Sequence, residues 1–436
     1  MNKQNNNAAQ LKKQAKANAV LSYLLEKLPV NLEETALTQG AIKRRRVLKS
    51  AADLLLSLMI YAISGMSLRV IAASAAELNF ANMSDQAWQK RLVKCEPWLS
   101  HVLGETMRAP SGASKGLFKG KVVKLKDGSM VRQAGKDIRG GQTLRVHMCY
   151  NLTEGRMESV LVSDNHTAES MTIFSIDSNV IYIADAGYGK GKSVAQILSH
   201  GADALFRVTP NHLSLAEDQN GKVKIDMTKM LSAESKVIDF TCYVHTENKK
   251  YVPVRIIASR LPEDKALLAR ERKMRNAKKY QTKTSREGTF VYAEWVILMT
   301  TLGSECTVLE LFELYRSRWQ IELLFKRIKQ SFKITKLPVA SLQHSKVMVL
   351  LWLIIWAITE RNVIGTEALL LEKQVDMTLY GTWAFHSFQF NKICAKIYSF
   401  FAISSDDSCD CPLDVLMRLM NHQSSRSSQY AHFRFA

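Results

Sequence analysis

The sequence predicts an α/β protein: a mixed sheet flanked by helices, preceded by an all-helical region, interrupted by a β-rich insertion and followed by more helices. Three observations predict it. Apolar residues recur at helical spacing across residues 8–110. From about 115 the pattern changes to short β-type runs separated by turn residues, and after 308 helical periodicity returns. A chain of 436 residues is long enough for two to four structural units at roughly 100–200 residues each. The expected division is 1–110 helical, 111–209 with 301–335 as the mixed-sheet core, 210–300 as the β-rich insertion, and 336–436 helical.

In the first region, Ala19–Leu28, Val47–Ile63 and Leu68–Leu78 carry the helical pattern. Ser67 is placed to cap a helix from Leu68, and Ser84 another from Asp85. Ser67–Glu77 and Ser84–Cys95, joined by a short turn, resemble a helix-turn-helix whose second helix would offer Gln86, Gln89, Lys90 and Arg91 to DNA. An ordinary helical bundle with a solvated polar face is the other reading.

Lys121–Lys126, Leu144–Tyr150 and Met157–Ser163 read as strands, with turns at Gly140-Gly141 and Thr153-Glu154-Gly155. A helix around Ala168–Ile176, a strand at Val180–Ala184, a helix at Val194–His200 and a strand at Ala204–Val208 complete a βββαβαβ order. The insertion contributes Val237–Val244, Val252–Ser259 and Thr289–Thr300. One strong helix is expected from Val308 to Phe332.

Sixty Lys and Arg against 40 Asp and Glu give a net charge of +20. Such a surface seeks polyanions. Residues 1–110 hold 15 basic and 8 acidic side chains, and Arg270–Arg286 holds eight basic side chains against Glu271 alone. The 47% apolar content excludes wholesale disorder. Met1–Gln10 is polar, so no secretory signal is expected. The longest apolar run, Val347–Ile358, is short of the about 20 residues a bilayer span needs and reads as a buried helix, with no membrane partner expected. Seven dispersed cysteines, including a lone Cys409-Asp410-Cys411, argue against a disulfide framework and for a cytoplasmic setting.

Advancing about 100° per residue along Tyr315–Lys329 puts Tyr315, Arg318, Glu322 and Lys329 on one arc of about 60°, beside the apolar Ile321, Leu324, Phe325 and Ile328. Two further carboxylates close strands before glycine turns: Asp127 before Gly128-Ser129, and Asp185 before Ala186-Gly187-Tyr188-Gly189. Singly, each would pass as a turn-forming Asp. Together with a third acid they suit Mg²⁺, whose hard oxygen-ligand chemistry supports in-line phosphoryl displacement.

The spacing Tyr315-x2-Arg318-x3-Glu322-x6-Lys329 resembles, without a gap, the signature of a branch of bacterial insertion-sequence transposases, the insertion-sequence-four family. The resemblance covers most of residues 115–335. It implies an RNase H-like core with an Asp-Asp-Glu triad: Asp127, Asp185 and Glu322 as catalytic, metal-binding acids. It implies two Mg²⁺ ions, with Mn²⁺ able to substitute. Tyr315, Arg318 and Lys329 would hold DNA phosphates. The 136 residues between Asp185 and Glu322 would house the insertion domain. Trp295, in Glu294-Trp295-Val296-Ile297-Leu298, is similar to an insertion-domain Trp that stacks on a flipped base; a strand-core aromatic is the equal alternative. Relatives commonly carry Asp-Arg-Gly-Tyr at the second acid, where this chain has Asp185-Ala186-Gly187-Tyr188; Lys190 or Lys192 would then take over the phosphate contact of the missing Arg.

The family implies cut-and-paste transposition by a bacterial, nucleoid-associated enzyme. It would bind terminal inverted repeats, cleave through hydrolysis and attack by the freed 3′-OH, form a hairpin, and join the ends to target DNA, as a dimer on double-stranded DNA. The competing readings are an RNase H-like nuclease without strand transfer, a non-enzymatic DNA-binding regulator, and a P-loop NTPase. The last rests on Gly187-Tyr188-Gly189-Lys190-Gly191-Lys192-Ser193, which misses the Walker A spacing by one residue.

Overall fold

The computed structural model describes residues 22–23, 25–45, 47–77, 80–108, 116–132, 143–164, 166–231, 235–247, 250–280, 289–332, 341–372 and 379–402. Cys409, Cys411 and the tail after Gln423 lie outside them, as do residues 19–21 and 24 of Ala19–Leu28. The chain divides into two compact units. One comprises Met1–Arg108, Val131–Leu144 and Ile328–Ala436; the other comprises Ala109–Met130 and Arg145–Arg327.

The first unit is helical: α1 (Leu32–Thr38), α2 (Ala51–Ser64), α3 (Leu68–Glu77), α4 (Asp85–Lys94) and α5 (Glu96–Met107), with the late α12 (Leu342–Glu372) and α13 (Leu379–Ala402). Ser50 caps α2 by accepting from the Asp53 N–H, and Gly65 ends it in the left-handed conformation. The helices α3 and α4 begin where Ser67 and Ser84 are placed to cap them; each hydroxyl accepts from the N–H three residues on. The N-terminal and C-terminal helical regions, expected as separate domains, share one core. Trp352 on α12 donates to the Ala62 carbonyl at 2.9 Å, Tyr61 hydrogen-bonds His344 at 2.8 Å, and Lys346 pairs with Glu96 at 2.9 Å. The Leu342–Ile364 part of α12 is long and apolar enough to cross a membrane. Most of it is buried within the protein, against α2, α5 and α13.

Among the described residues, the second unit is built on nine strands: β1 (Val122–Arg132), β2 (Thr143–Asn151), β3 (Arg156–Asp164), β4 (Val180–Ala184), β5 (Asp203–Arg207), β6 (Leu215–Ala216), β7 (Val237–His245), β8 (Tyr251–Arg260) and β9 (Trp295–Thr300). They form one sheet in the order β3-β2-β1-β4-β5-β9-β8-β7-β6. The strands β1, β4 and β5 are mutually parallel, whereas β9, β8 and β7 continue the sheet antiparallel. All five residues of β4 are buried, as a central strand covered on both faces requires.

Three expectations are corrected. The helix expected around Ala168–Ile176 is a single 3₁₀ turn, Met171–Ile173, capped by the Ser170 side chain. Ser, Thr and β-branched residues crowd this stretch, and the hydroxyls compete for the backbone groups a helix would use. The run Thr289–Thr300 is a short helix, α9 (Thr289–Ala293), followed by β9. The divisions drawn at 209/210 and 300/301 are not breaks in the sheet: β9 hydrogen-bonds β5 on one side and β8 on the other. Of the remaining helices, α6 (Gly191–Ser199), α7 (Met227–Leu231) and α8 (Glu263–Tyr280) precede β9, whereas α10 (Val308–Arg316) and α11 (Trp319–Ser331) follow it.

Candidate active site at the end of the β1–β4 ladder

Alternation along β1 sends Val123 and Leu125 to one face and Lys124 and Lys126 to the other. All four are buried. Lys124 is satisfied by Glu158 at 2.5 Å and Asp177 at 2.6 Å; Lys126 lies 4.5 Å over the Tyr182 ring and has no hydrogen-bond partner among the described residues. The parallel register pairs Val123 with Ile181, Leu125 with Ile183 and, last, Lys126 with Ala184. Asp127 and Asp185 are the next residues on each side, and the same alternation directs them to the Val123–Ile181 face. Asp127 therefore does not end its strand, as the sequence suggests, since β1 runs on to Arg132. It marks where the ladder to β4 ends, and there the two acids stand side by side.

The acid-bearing helix also differs from expectation. Instead of one helix from Val308 to Phe332, the chain forms α10 and α11 with a turn at Ser317–Arg318. The backbone there tightens to three-residue hydrogen bonds: Ser317 to Leu314, Arg318 to Tyr315, Gln320 to Ser317 and Ile321 to Arg318. The Ser317 hydroxyl donates to the Leu314 carbonyl at 2.6 Å, taking an acceptor that a continuous helix would use. Thr307 and Glu310 form a capping box at the start of α10.

Arg318 links the acids. Its guanidinium, 13% exposed, pairs with Glu322 and lies 4.0 Å from an Asp127 oxygen. It also stands over the Tyr315 ring, 5.7 Å from the centroid, and feels the charge of Asp185. Burial pushes the Asp127 carboxyl up to about 6, with the charges of Glu169 and Glu322 acting in the same direction; the Gly128 N–H at 2.8 Å and Arg318 oppose this. Burial likewise drives the Tyr315 hydroxyl well above the ordinary tyrosine range.

These residues fit a divalent cation. Among the described residues Asp185 Oδ1 is buried without a hydrogen-bond partner, and Asp127 is a desolvated carboxylate among other negative groups. Both are hard, anionic oxygen donors of the kind Mg²⁺ takes. Among the described residues no three acids stand close enough together to hold a metal ion, and the Glu322 carboxylate is paired with Arg318. Among the described residues the Tyr315 hydroxyl and Arg318 Nε are also buried without hydrogen-bond partners, donors that a phosphate could take up.

The other expected site residues fall into three groups. Lys329 lies on α11, seven residues beyond Glu322. Lys190 is exposed at the start of α6, while Lys192 pairs with Glu247 at 2.8 Å. Gly191 packs against the His245 backbone carbonyl so closely that a Cβ there would overlap it. Gly191 of the near-Walker sequence thus serves helix–strand packing. On α4, Gln86, Gln89 and Lys90 are exposed. Arg91, expected among them, is instead tied inward, its guanidinium donating to the Ala41 carbonyl at 2.7 Å.

Trp295 is 3% exposed and opens β9 opposite Arg260, within the core cluster of the sheet. Its strand-core reading holds. It also borders a cavity of about 740 Å³ lined by Arg207, His212, Lys265, Arg272 and Lys273. The basic run from residue 270 supplies two of those cations from α8.

Residues 118–358 match a family model described as the transposase DDE domain. The chain is 31% identical over 325 residues to the putative transposase InsL for insertion sequence element IS186A of Escherichia coli strain K12; the match covers 71% of this chain and 84% of the relative. It is 31% identical over 326 residues, with the same coverage, to the transposase for insertion sequence element IS421 of Escherichia coli. These matches define a DNA-cleaving and DNA-transferring enzyme. The chain belongs to the DDE-domain transposases of bacterial insertion sequences, a divalent-metal-dependent family.

Proposed function

We propose that the chain is a cut-and-paste transposase acting on the ends of its own insertion sequence, with an RNase H-like core and Asp127, Asp185 and Glu322 as its metal-holding acids. One observation carries the reading: two parallel strands end their ladder side by side on Asp127 and Asp185, with Glu322 tied to the same place through Arg318. The strand order β3-β2-β1-β4-β5 supports the RNase H-like assignment.

Two Mg²⁺ ions, when bound, would lower the pKa of the attacking water or 3′-hydroxyl and stabilise the leaving oxygen. The chain's own residues do the rest. Asp127 gives up its proton above about pH 6 to become a ligand. Glu322 leaves Arg318 to join the acids. The released guanidinium offers paired N–H donors to a phosphate, and the Tyr315 hydroxyl donates another. Lys329 extends this row along α11. Glu322→Gln should reduce DNA cleavage by at least 1000-fold, on the order of what the loss of a key charged group costs, while binding of the element's ends stays within a few-fold. Cleavage retained by that variant would remove Glu322 from the triad.

End recognition is assigned to α3 and α4, with Gln86, Gln89 and Lys90 toward DNA, and synapsis of two ends to a dimer. The cavity beside Trp295, walled by five basic or imidazole side chains, suits an extruded base and its phosphate on a hairpin route. Mixing the protein, its element's ends and Mg²⁺, and resolving products on a denaturing gel, tests both. Joined and hairpin products support the proposal, whereas nicks that never join make the chain a nuclease.

A further inference from the structure

The Glu169 carboxylate sits between the two strand ends that carry Asp127 and Asp185. A Cβ added at Gly128 would lie 3.0 Å from one Glu169 oxygen, and a Cβ added at Gly187 would overlap the other. Those glycines follow the two acids, one as Asp127-Gly128 and the other as Asp185-Ala186-Gly187. Neither has a positive φ, so neither is required by backbone conformation. What they share is the absence of a side chain where Glu169 enters. Glu169 itself arrives from the β3–β4 connection, just before the 3₁₀ turn.

A second observation points into the same space. Tyr188 is 1% exposed, and its hydroxyl has no hydrogen-bond partner among the described residues. Its electrostatic neighbours include Glu169 and Asp127, with the Arg145 guanidinium acting against them. A buried hydroxyl left unpaired costs stability unless something occupies the space beside it. A hydrated cation would supply the missing partner, through one of its waters.

We propose that Glu169 is a fourth acidic residue of this site, which holds the divalent cation of Asp127 and Asp185 directly or through a cation-bound water, and that Gly128 and Gly187 are glycines because this carboxylate needs their space. The proposal rests on the assignment of Asp127 and Asp185 as metal-holding acids. It adds a residue that the three-acid signature does not contain.

The test is a Mn²⁺ titration of the full chain without DNA, reading free Mn²⁺ by its electron paramagnetic resonance signal. Glu169→Gln should weaken Mn²⁺ binding at least tenfold, as loss of a ligand or of its supporting carboxylate does elsewhere. Gly187→Ala, which crowds Glu169 out without altering any acid, should weaken it in the same direction. Thermal midpoints in EDTA should match the wild type for both variants, which separates metal loss from misfolding. Binding within twofold of wild type for Glu169→Gln, with a large loss for Asp127→Asn, would overturn the role of Glu169 alone. If Asp127→Asn also leaves Mn²⁺ binding unchanged, the metal assignment itself fails, and Glu169 with it.

Discussion

Asp127 shows how much chemistry a single buried carboxylate can store. Its pKa near 6 means that the folded protein holds a proton that the unfolded chain, near 3.8, has lost. Stability of the metal-free protein should therefore fall as pH rises from about 4 to 6, because the ionised form is penalised only in the folded state. Asp127→Asn removes that penalty. In EDTA at pH 7 the variant should be more stable than wild type by roughly 1–3 kcal/mol, a gain that disappears below pH 4. Chemical denaturation at the two pH values measures it; equal stabilities at pH 7 would show that Arg318 and the Gly128 N–H fully offset the burial. At this scale the sequence marks the acids but not their state. Asp127 is visible beside a glycine turn, whereas Glu169 has no motif of its own, and its only trace is a pair of glycines 59 positions apart, Gly128 and Gly187.

Among elements, the pair α10–α11 departs most from a periodic reading. The arc that groups Tyr315, Arg318, Glu322 and Lys329 assumes an unbroken helix, and the turn at Ser317–Arg318 breaks it. The break sits between Tyr315 and Glu322, so it re-aims the two ends of the signature independently. Spacing singles out the four residues as a signature; 100° per residue does not describe where the turn places Tyr315 relative to Glu322. The strand β9 carries the second lesson. Trp295 is packed in the core cluster while one side borders the basic cavity. Trp295→Ala should cost about 3–5 kcal/mol of stability, read from the shift of a denaturation midpoint. A hairpin assay is therefore better made with Trp295→Phe, which fills most of the volume. That variant should slow hairpin formation more than first nicking, and equal slowing of both would count against base stacking.

For the whole molecule, charge and burial are distributed differently. The basic side chains of α8 are largely exposed, while the groups next to the proposed chemistry are mostly acidic and gathered around the buried Arg318. Two predictions belong here. Residues 1–110 expressed alone should not fold cooperatively, because α12 supplies the apolar surface that α2 and α5 bury; a sharp thermal transition in that fragment would refute the shared core. Removing divalent metal with EDTA should abolish cleavage while leaving the far-ultraviolet circular dichroism unchanged, since the core cluster of the sheet is built of apolar side chains and contains none of the acids. A loss of helix signal on chelation would mean that metal is structural.

By itself the sequence determined the α/β class, most strand positions, the capped starts of α3 and α4 and the buried nature of α12, and it nominated the acids proposed as metal ligands. These depend on local periodicity, on short-range capping and on a fixed spacing within one stretch of chain. Only the tertiary structure decided that β6–β9 continue the sheet of β1–β5, that the two helical regions share one core, that Arg318 is held between acids, that Arg91 faces inward, and that Glu169 enters between Asp127 and Asp185. Each of those depends on groups far apart in the chain that are brought together by sheet pairing or helix packing, which periodicity along one segment does not encode.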